Sequence, residues 1–239
     1  MNSNLVIIPT YNEKENIGRI IQAVLDLQVA FDVLVVDDNS QDGTDKIVKA
    51  LQEHHQDRIH LLQRPGKLGL GTAYIMGFKY GLEKNYSYIY EMDADFSHNP
   101  EDLSRMYVVL NNGQADVVVG SRYTDGGKVV NWPFDRRLIS YGGSLYTRIV
   151  TLMPVKDPTA GFVGYTNKVL SSIDLGKVHF VGYAFQIQMK FTAWRKGFKI
   201  KEIPIVFKDR EEGTSKMSGG IVKEAAFGVV AMKWRSLFG

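Results

Sequence analysis

Residues 86–97 read YSYIYEMDADFS, an apolar and aromatic run that is followed by two carboxylates one residue apart. The run predicts a short buried strand, and the polar residues after it, with Pro100, predict the start of a helix. Asp93 and Asp95 would therefore lie at the carboxyl end of a strand, where open α/β sheets bind their ligands. Two hard oxygen ligands at that place suit Mg²⁺ or Mn²⁺, and such an ion commonly bridges a diphosphate. Taken alone, the pair also fits a helix cap beside a solvated acid, because short motifs match by chance.

Short apolar runs alternate with one-sided apolar stripes at helical spacing along the first half of the chain. The runs predict strands at residues 5–8, 31–36, 59–62, 86–90 and 116–120. This alternation predicts an α/β fold with a doubly wound, mostly parallel sheet, and 239 residues suffice for one such domain. The predicted organisation is a single domain of residues 1–218 followed by a C-terminal amphipathic helix of residues 219–239.

Polar loops also follow the first two predicted strands. The first loop contains Tyr11 and Glu13, and the second begins with Asp37 and Asp38. Adjacent acids repel each other unless a donor-rich partner binds them, and a ribose diol or a base edge is such a partner. The alternative is ordinary turn and cap chemistry. The chain has neither a G-x-G-x-x-G after its first strand nor a Walker loop, which disfavours those two modes of nucleotide binding.

Charge is unevenly distributed between the two halves of the chain. Residues 1–121 carry 10 Lys and Arg against 17 Asp and Glu, whereas residues 122–239 carry 19 against 9. The basic half indicates an anionic partner (nucleic acid, a membrane surface or a phosphorylated substrate) or else a solvated basic face. Nucleic acid is disfavoured because the sequence has no stacking-aromatic or recognition-helix motif. The five histidines lack metal-ligand spacing and are interpreted as structural or solvated.

The sequence also bears on the place where the protein works. No stretch approaches the roughly 20 apolar residues needed to span a bilayer, and the apolar run at residues 5–8 is too short for a signal-peptide core. The absence of cysteine fits a reducing compartment. In residues 219–239 apolar and aromatic side chains stand beside cations, a composition that suits a membrane interface as well as packing on the domain. We therefore expect a cytoplasmic protein that is peripheral to a membrane.

Seven motifs follow one another along the chain: Pro9–Glu13, Asp37-Asp38, Arg64–Gly71, Met92–Asp95, Gly120–Tyr123, Asp157–Phe162 and Asp209–Lys216. Together and in this order they resemble the inverting family-2 glycosyltransferases, which have the nucleotide-binding fold called GT-A. Within that family the chain is similar to the enzymes that make dolichyl- or polyprenyl-phosphate mannose. The resemblance implies a metal-dependent enzyme that moves mannose from GDP-mannose to a polyprenyl or dolichyl phosphate in the membrane, with room for a membrane-anchoring subunit.

The same resemblance implies a role for each group of site residues. Those expected to contact the nucleoside of the donor are Pro9, Tyr11, Glu13, Val36 and Asp38. Those expected at the ribose-diphosphate and at the Mg²⁺ or Mn²⁺ ion are Asp93, Ala94 and Asp95, the two acids being the metal ligands. Those expected to hold the phosphates of donor or acceptor are Arg122, Arg210 and Lys216, with Arg136 added for the acceptor phosphate. Catalysis is expected to depend on Asp95, Arg210 and Lys216.

Two positions depart from the pattern of the resembling enzymes. Ser97 stands where some of them have a metal-ligating Gln, and Gln188 stands where they tend to have Glu. A lipid phosphate is already anionic near pH 7 and needs no base, so Gln188 agrees with a phosphate acceptor. Two alternatives stay open: the same fold using UDP-glucose or another nucleotide sugar, and a non-catalytic nucleotide-sugar-binding partner of a membrane complex.

Overall fold

The computed structural model of the chain describes residues 3–178, 180, 182–209 and 228–234. Strands and helices alternate through the first half, which confirms the predicted α/β class. The elements of that half are β1 (Asn4–Thr10), α1 (Ile17–Leu25), β2 (Asp32–Asp37), α2 (Thr44–His54), β3 (Ile59–Gln63), α3 (Leu70–Glu83), β4 (Tyr88–Glu91), α4 (Asp102–Asn111) and β5 (Val117–Ser121). The later elements are β6 (Lys128–Val130), α5 (Phe134–Thr151), β7 (Val163–Thr166), α6 (Asn167–Ser172), a 3-10 turn (Leu175–Lys177), α7 (Tyr183–Arg195), β8 (Ile200–Pro204) and β9 (Val206–Lys208).

Seven strands form one sheet in the order β3-β2-β1-β4-β7-β5-β8, and β6 pairs with β9 in a small second sheet. The pairings of the large sheet are parallel except those of β7, which lies antiparallel between β4 and β5. The chain moves outward from β1 to β3 and then continues at β4 on the other side of β1. Strand order thus reverses between β1 and β4, and open α/β sheets bind ligands at such a switch point.

Helices cover both faces of the large sheet, which explains why its strands are apolar on both sides. Residues 5–8 of β1 and 117–119 of β5 are fully buried, as expected for doubly covered strands. One core layer packs α1 and α4 against the sheet, and the other packs α3 and α7. Helix α3 approaches β1 closely because Gly77 lies over Ile7, where a Cβ atom would come within 2.7 Å of the Ile7 side chain.

The second half differs from the sequence-based expectation in two places. Residues 124–137, for which the sequence shows no periodicity, contain β6 and the start of α5. A three-residue strand is too short to leave a recognisable pattern. The sequence pattern of residues 199–207 predicts a single strand, but the structure divides this segment into β8 and β9, with Pro204 at the division. Proline cannot donate a ladder hydrogen bond, and the chain passes there from the large sheet to the small one.

The C-terminal segment is described only in part. Residues 228–234 are helical, and the remainder of residues 219–239 lies outside the described residues. The division of the chain at residue 218 therefore stays a prediction. Among the described helices, none combines the length and the apolar character needed to cross a bilayer.

Candidate functional site

The carboxyl ends of β1, β2 and β4 meet at the switch point. Pro9 of β1 pairs with Val36 of β2, and the β1–β4 register brings Ile7 opposite Glu91. One residue further on, the Met92 N–H donates to the Ile7 carbonyl. The loop that carries Asp93 thus leaves the sheet directly beside the end of β1, where the predicted nucleoside residues begin.

Asp93 and Asp95 occupy a tightly held loop at this edge. Asp93 accepts a hydrogen bond from the buried Tyr74 hydroxyl at 3.4 Å, and Asp95 accepts one from the Ser97 N–H at 3.0 Å. Asp95 is only 4% exposed. Phe96, between Asp95 and Ser97, has a φ of +57°, a conformation that is strained for a bulky residue and that recurs at functional sites. The backbone therefore holds both carboxylates in a fixed arrangement at the end of β4.

The chemistry of this donor set fits Mg²⁺ or Mn²⁺. Both ions prefer oxygen ligands, and Mg²⁺ is commonly held by one or two carboxylates together with substrate phosphates. The described residues hold no group of three or more acidic, histidine or cysteine side chains that could enclose a metal ion. An ion held by Asp93 and Asp95 would therefore be completed by ligand oxygens and water.

The neighbouring acids of β2 receive their donors from the protein itself. Asp37 accepts hydrogen bonds from the Thr10 hydroxyl and from the hydroxyl and backbone N–H of Ser40, at 2.6–2.9 Å. Asp38 is buried and forms an ion pair with Arg64, whose guanidinium is 1% exposed. The repulsion between the two acids is thus relieved without a ligand. The predicted contact of Asp38 with a nucleoside stays a prediction.

Tyr11 and Glu13 lie in the loop that follows β1. The ammonium group of Lys67, from the glycine-containing loop before α3, lies 5.1 Å from the centre of the Tyr11 ring. Glu13 accepts a weak hydrogen bond from Asn16 at 3.4 Å, and its N–H donates to the Thr44 hydroxyl. The structure thus gathers Pro9, Tyr11, Glu13 and Val36 at one edge. Their contacts with a nucleoside stay a prediction.

A cavity of about 300 Å³ opens beside Asp93 and Asp95. Its walls come from the loop after β4, the first three turns of α5, the turn before β7, the start of α7 and strand β9. Among the described residues, five buried polar atoms of the cavity lining have no hydrogen-bond partner: Ser97 Oγ, His98 Nδ1, Trp132 Nε1, Arg136 Nε and Gln186 Nε2. Buried polar groups are normally paired, so this concentration indicates a site that a polar ligand completes.

Arg136 and Trp132 form the cationic wall of the cavity. The Arg136 guanidinium lies 4.1 Å from the centre of the Trp132 ring, and its Nη1 donates to Asp209 at 2.9 Å. Trp132 in turn packs edge-on against Phe207 of β9, with ring centres 5.3 Å apart. The stacking fixes the plane of the guanidinium, and its buried Nε has no hydrogen-bond partner within the part of the chain that the structure describes. Arg136 thus lines the cavity with a fixed orientation, and its contact with an acceptor phosphate stays a prediction.

The resemblance implies that Arg122 binds a phosphate, whereas in the structure its guanidinium donates to a protein carboxylate. Its Nε and Nη2 donate to the two oxygens of Asp157 at 2.8 and 2.7 Å, and Nη2 also donates to Thr159. Asp157 is fully buried. Burial alone would raise the pKa of the Asp157 carboxyl, but Arg122 outweighs it and the pKa is lowered. A protein carboxylate therefore balances the charge of Arg122, and its role toward a phosphate stays a prediction.

His98 lines the cavity, although the sequence pattern indicated only a structural or solvated histidine. Its ring stacks on Phe162 at 4.8 Å and meets the edge of Phe207 at 5.3 Å. Burial lowers the pKa of His98 to about 4, although the charge of Asp95 opposes this change. The imidazole is therefore neutral near pH 7, and no described residue forms a hydrogen bond with its Nδ1. The only sequence signal for this residue was its position three residues after Asp95.

Two buried titratable side chains, Glu91 and Lys190, interact electrostatically near the cavity. Lys190 donates to the carbonyls of Ala160 and Gln186 at 2.7 and 3.1 Å, and burial lowers its pKa to about 8. Burial raises the pKa of Glu91 to about 8, against the attraction of Lys190. Gln186, between this pair and the cavity, is 2% exposed and lines the cavity wall. The pair therefore lies under the end of β4, where the Asp93 loop begins.

Gln188 lies outside the cavity. Its amide donates to the Lys177 carbonyl at 3.3 Å and accepts from the Phe180 N–H at 3.5 Å. These two hydrogen bonds hold the segment before α7. Gln186, two residues earlier in the same helix, lines the cavity instead.

Arg210 and Lys216, which were predicted to hold phosphates, lie outside the described residues. Ala94, the third residue predicted at the diphosphate, is buried between the two acids.

The chain belongs to glycosyl transferase family 2, because the model described as "Glycosyl transferase family 2" matches residues 5–174. It is 46% identical over 225 residues to the polyprenol monophosphomannose synthase of Mycolicibacterium smegmatis, covering 94% of this chain and 84% of that protein. It is also 46% identical over 237 residues to the undecaprenyl-phosphate mannosyltransferase of Micrococcus luteus, covering 98% of this chain and 96% of that protein.

Solved structures support the fold. A crystal structure of glucosyl-3-phosphoglycerate synthase from Mycobacterium tuberculosis, in complex with Mn²⁺, UDP and glucosyl-3-phosphoglycerate, matches with a TM-score of 0.71. The match covers 98% of this chain and 80% of that chain at 14% identity. TarS of S. aureus in complex with UDP-GlcNAc matches with a TM-score of 0.65 at 18% identity, covering 99% of this chain and 67% of that chain. The predicted GT-A architecture is thereby confirmed.

Proposed function

We propose that this protein is a metal-dependent, inverting mannosyltransferase that moves mannose from GDP-mannose to a polyprenyl phosphate. One observation carries the proposal: Asp93 and Asp95 lie at the switch point, directly beside a cavity whose wall contains Arg136 and Trp132. The names of the two relatives at 46% identity support both mannose and the polyprenyl phosphate acceptor. GDP as the nucleotide rests on the resemblance of the motifs.

The donor would lie across the carboxyl ends of β1, β2 and β4. In this arrangement the base and ribose contact the loops of Tyr11, Glu13 and Asp38, and the diphosphate reaches Asp93 and Asp95. Asp93 and Asp95 would repel an anionic diphosphate, and a divalent cation held by these two residues would relieve that repulsion. When bound, that cation would neutralise the negative charge that grows on the departing diphosphate.

The acceptor phosphate would occupy the cavity. Arg136 and the Trp132 N–H offer donors whose orientation is fixed by stacking, and a charge-assisted hydrogen bond to phosphate is stronger than a neutral one. A phosphate monoester oxygen is anionic near pH 7, so the protein has no proton to remove from it. The absence of an acid at position 188 is therefore compatible with activity.

Transfer would proceed by a single displacement. An oxygen of the acceptor phosphate forms a bond with the anomeric carbon while the bond to the diphosphate oxygen breaks on the opposite face, which inverts the configuration. Arg210 and Lys216, carried over from the resemblance, would add positive charge near the leaving diphosphate. Fixed charges aimed at developing charge usually contribute most to such catalysis, and positioning of the two substrates contributes much of the remainder. The lipid acceptor implies that the enzyme works at a membrane surface.

The test is a donor panel with an acceptor that remains in solution. The protein is incubated with Mg²⁺, a short-chain water-soluble prenyl phosphate and, in parallel, GDP-mannose, UDP-glucose and UDP-GlcNAc, and the released nucleotide is measured. Acceptor-dependent release of GDP alone supports the proposal. Release of UDP alone keeps the fold and mechanism but replaces the donor. Nucleotide binding without release from any donor would favour a non-catalytic binding protein.

A further inference from the structure

One wall of the cavity carries a buried amide donor. Gln186 lies in the first turn of α7, lines the cavity and is 2% exposed. No described residue forms a hydrogen bond with its Nε2. Most buried donors in proteins have a partner, because an unpaired one costs free energy. The position of this donor in the cavity wall therefore indicates that a ligand atom completes its hydrogen bonds.

Lys190 determines which end of the amide is left for a ligand. Its ammonium group donates to the side-chain oxygen of Gln186 at 3.3 Å, and to the backbone carbonyls of Gln186 and Ala160 at 3.1 and 2.7 Å. An ammonium group has donors only, so the amide oxygen faces Lys190 and the NH₂ group is directed away from it. The same lysine ties the first turn of α7 to the turn before β7.

The neighbouring Glu91 does not use this donor. Burial raises the pKa of Glu91, and Lys190 and the Gln186 amide oppose that rise. Neither carboxyl oxygen of Glu91, however, has a hydrogen-bond partner among the residues that the structure describes. Because the amide carries two hydrogens, a weak interaction with Glu91 leaves the second hydrogen for another acceptor.

Gly161 leaves open space beside the amide nitrogen. A Cβ atom on Gly161 would lie 4.0 Å from Gln186 Nε2, and no other described atom beyond the chain neighbours lies within 4 Å of it. Gly161 lines the cavity together with Ala160. A larger residue at this position would place its side chain in front of the amide. The glycine therefore keeps a path open between Nε2 and the cavity.

The position of the amide between two anionic groups identifies the ligand. In the proposed function the donor diphosphate reaches Asp93 and Asp95, and the acceptor phosphate lies beside Arg136. A displacement places the reacting carbon between the attacking and the leaving oxygen, so the hexose occupies the cavity between these groups. Gln186 lines that same cavity. A neutral amide suits an uncharged hydroxyl group, whereas charged donors form the stronger hydrogen bonds to phosphate.

We propose that Gln186 Nε2 donates a hydrogen bond to one hydroxyl group of the donor hexose, in the space over Gly161. The location of the hexose rests on the proposed function, and the orientation of the amide rests on Lys190. A sugar that lacks this hydroxyl leaves a buried donor unpaired, so Gln186 contributes to the selection of the sugar.

The first test measures binding without turnover. Calorimetry with Mg²⁺ and without acceptor gives the affinities of the wild type and of Gln186→Met for GDP and for GDP-mannose. Methionine has nearly the length of glutamine and lacks the amide. We expect unchanged affinity for GDP and about tenfold weaker binding of GDP-mannose, since an unpaired polar group costs about that factor.

Gln52→Met is the matched control for this test. Gln52 of α2 is partly buried, and its amide donates to the Ile59 carbonyl at 3.1 Å, outside the cavity. The control should bind both ligands like the wild type. A ratio of GDP-mannose to GDP affinity that is the same in Gln186→Met and the wild type would overturn the proposal.

A second variant keeps the amide and fills the space beside it. The methyl group of Gly161→Ala would approach no described atom beyond its chain neighbours more closely than 4.0 Å, so the fold should be retained. We expect this variant to bind GDP normally and GDP-mannose more weakly. Gly142→Ala of α5, where nothing lies within 4 Å, is the control and should bind both normally. Normal binding of GDP-mannose by Gly161→Ala would place the hexose elsewhere and overturn the proposal.

The third test pairs the protein variant with altered donors. The value of kcat/KM is measured with GDP-mannose and with a set of analogues, each lacking one hydroxyl group of the hexose. We expect the wild type to lose about tenfold with one analogue. Gln186→Met should accept that analogue and GDP-mannose equally to within about twofold, because the hydroxyl and the amide act as a pair. Independent losses with every analogue would overturn the proposal.

The binding test separates this inference from the proposed function. Hexose-dependent binding that Gln186→Met weakens, without turnover of any donor, would reject the proposed function and keep the contact of Gln186 with the sugar. Turnover with independent losses would keep the proposed function and reject that contact. If UDP-glucose proves to be the donor, UDP and UDP-glucose replace GDP and GDP-mannose in the same measurements.

Discussion

Arg122 and Asp157 form a buried ion pair in which two guanidinium nitrogens meet both carboxylate oxygens at 2.7 and 2.8 Å. The side chains are 10% and 0% exposed. The Arg122 backbone N–H also donates to Asp157. This pair joins the end of β5 to the turn before β7, and that turn forms part of the cavity wall. Arg122, for which the resemblance implies phosphate binding, thus forms a buried ion pair with Asp157 at the cavity wall.

We expect Asp157→Ala to lower the free energy of unfolding by about 3–5 kcal/mol, because it leaves the charge of Arg122 buried without a partner. Urea unfolding measures the change. Asp45→Ala is the matched control, since Asp45 pairs with Lys49 on the surface and exposed pairs contribute about 0–1 kcal/mol. Equal small losses in both variants would contradict a structural role of the Arg122–Asp157 pair.

Asp95→Asn should reduce turnover by about 10²–10³-fold or more, the range found when one preorganised electrostatic group is removed from an active site. The substitution keeps the shape of the side chain and its acceptor for the Ser97 N–H, so circular dichroism and unfolding should change little. Asp26→Asn, on the exposed end of α1, is the control and should leave turnover unchanged. Wild-type turnover in a folded Asp95→Asn protein would remove the metal-ligand assignment.

Removal of divalent cations with a chelator should abolish turnover, and Mg²⁺ or Mn²⁺ should restore it. The reason is that Asp93 and Asp95 would otherwise repel the donor diphosphate. Asp93→Asn should raise the cation concentration needed for half-maximal turnover. The readout is the released nucleotide as a function of added cation, and turnover that persists in excess chelator is the contrary result.

The pKa of His98 makes stability depend on pH in a defined window. The unfolded imidazole binds a proton below its ordinary pKa of 6.5, whereas the folded one stays neutral until about pH 4. The unfolded state therefore binds more protons between these values, so the free energy of unfolding falls as the pH decreases from 6.5 to 4 and is fully retained above 6.5. The His98 contribution to this loss is on the order of 3 kcal/mol.

His98→Phe isolates this contribution because phenylalanine can keep the stacking on Phe162. Urea unfolding of variant and wild type is compared at several pH values from 4 to 8. We expect the difference between the two proteins to be constant at high pH and to shift in favour of the variant below about pH 6.5. Parallel curves across the whole range would show that His98 titrates normally in the folded protein.

Two glycines in helices should respond to alanine in opposite ways. At Gly77 an added methyl group would meet the Ile7 side chain at 2.7 Å, and overpacking of this kind costs about 1–3 kcal/mol. At Gly142 of α5 nothing lies within 4 Å, so alanine should stabilise the protein by up to about 1 kcal/mol through helix propensity. Thermal unfolding of Gly77→Ala and Gly142→Ala measures both changes. A stabilised Gly77→Ala protein would contradict the close packing of α3 on β1.

The sequence predicts the sheet and its ligand-binding edge well because strand periodicity and the position of polar residues after each strand are local signals. The run before Asp93 is a buried strand, and both acids lie at its carboxyl end as expected. The partners of those edge residues are not local. Asp38 meets Arg64 and Arg122 meets Asp157 only after distant segments pack together.

Helix α5 shows the same limit more clearly. The spacing of Leu138, Leu145 and Ile149 indicates a helix correctly, but spacing cannot tell which side the apolar residues face. The buried side carries Ser144, whose hydroxyl lies 3.4 Å from the Thr159 hydroxyl in the turn before β7, and Thr147, whose hydroxyl donates to the Gly143 carbonyl in the same helix. Arg136 was expected at the acceptor phosphate only through the resemblance, and Trp132 was not expected there at all, because the short β6–β9 pairing near them leaves no pattern in the sequence.

The most direct measurement is the mass of the lipid product. The protein is incubated with Mg²⁺, GDP-mannose and undecaprenyl phosphate in vesicles, beside the Asp95→Asn variant and a reaction with UDP-glucose. We predict a lipid phosphate heavier by one hexose from GDP-mannose with the wild type alone. An unchanged lipid in every reaction, from protein that is folded and binds nucleotide, would contradict the assignment of this site as a mannosyltransferase.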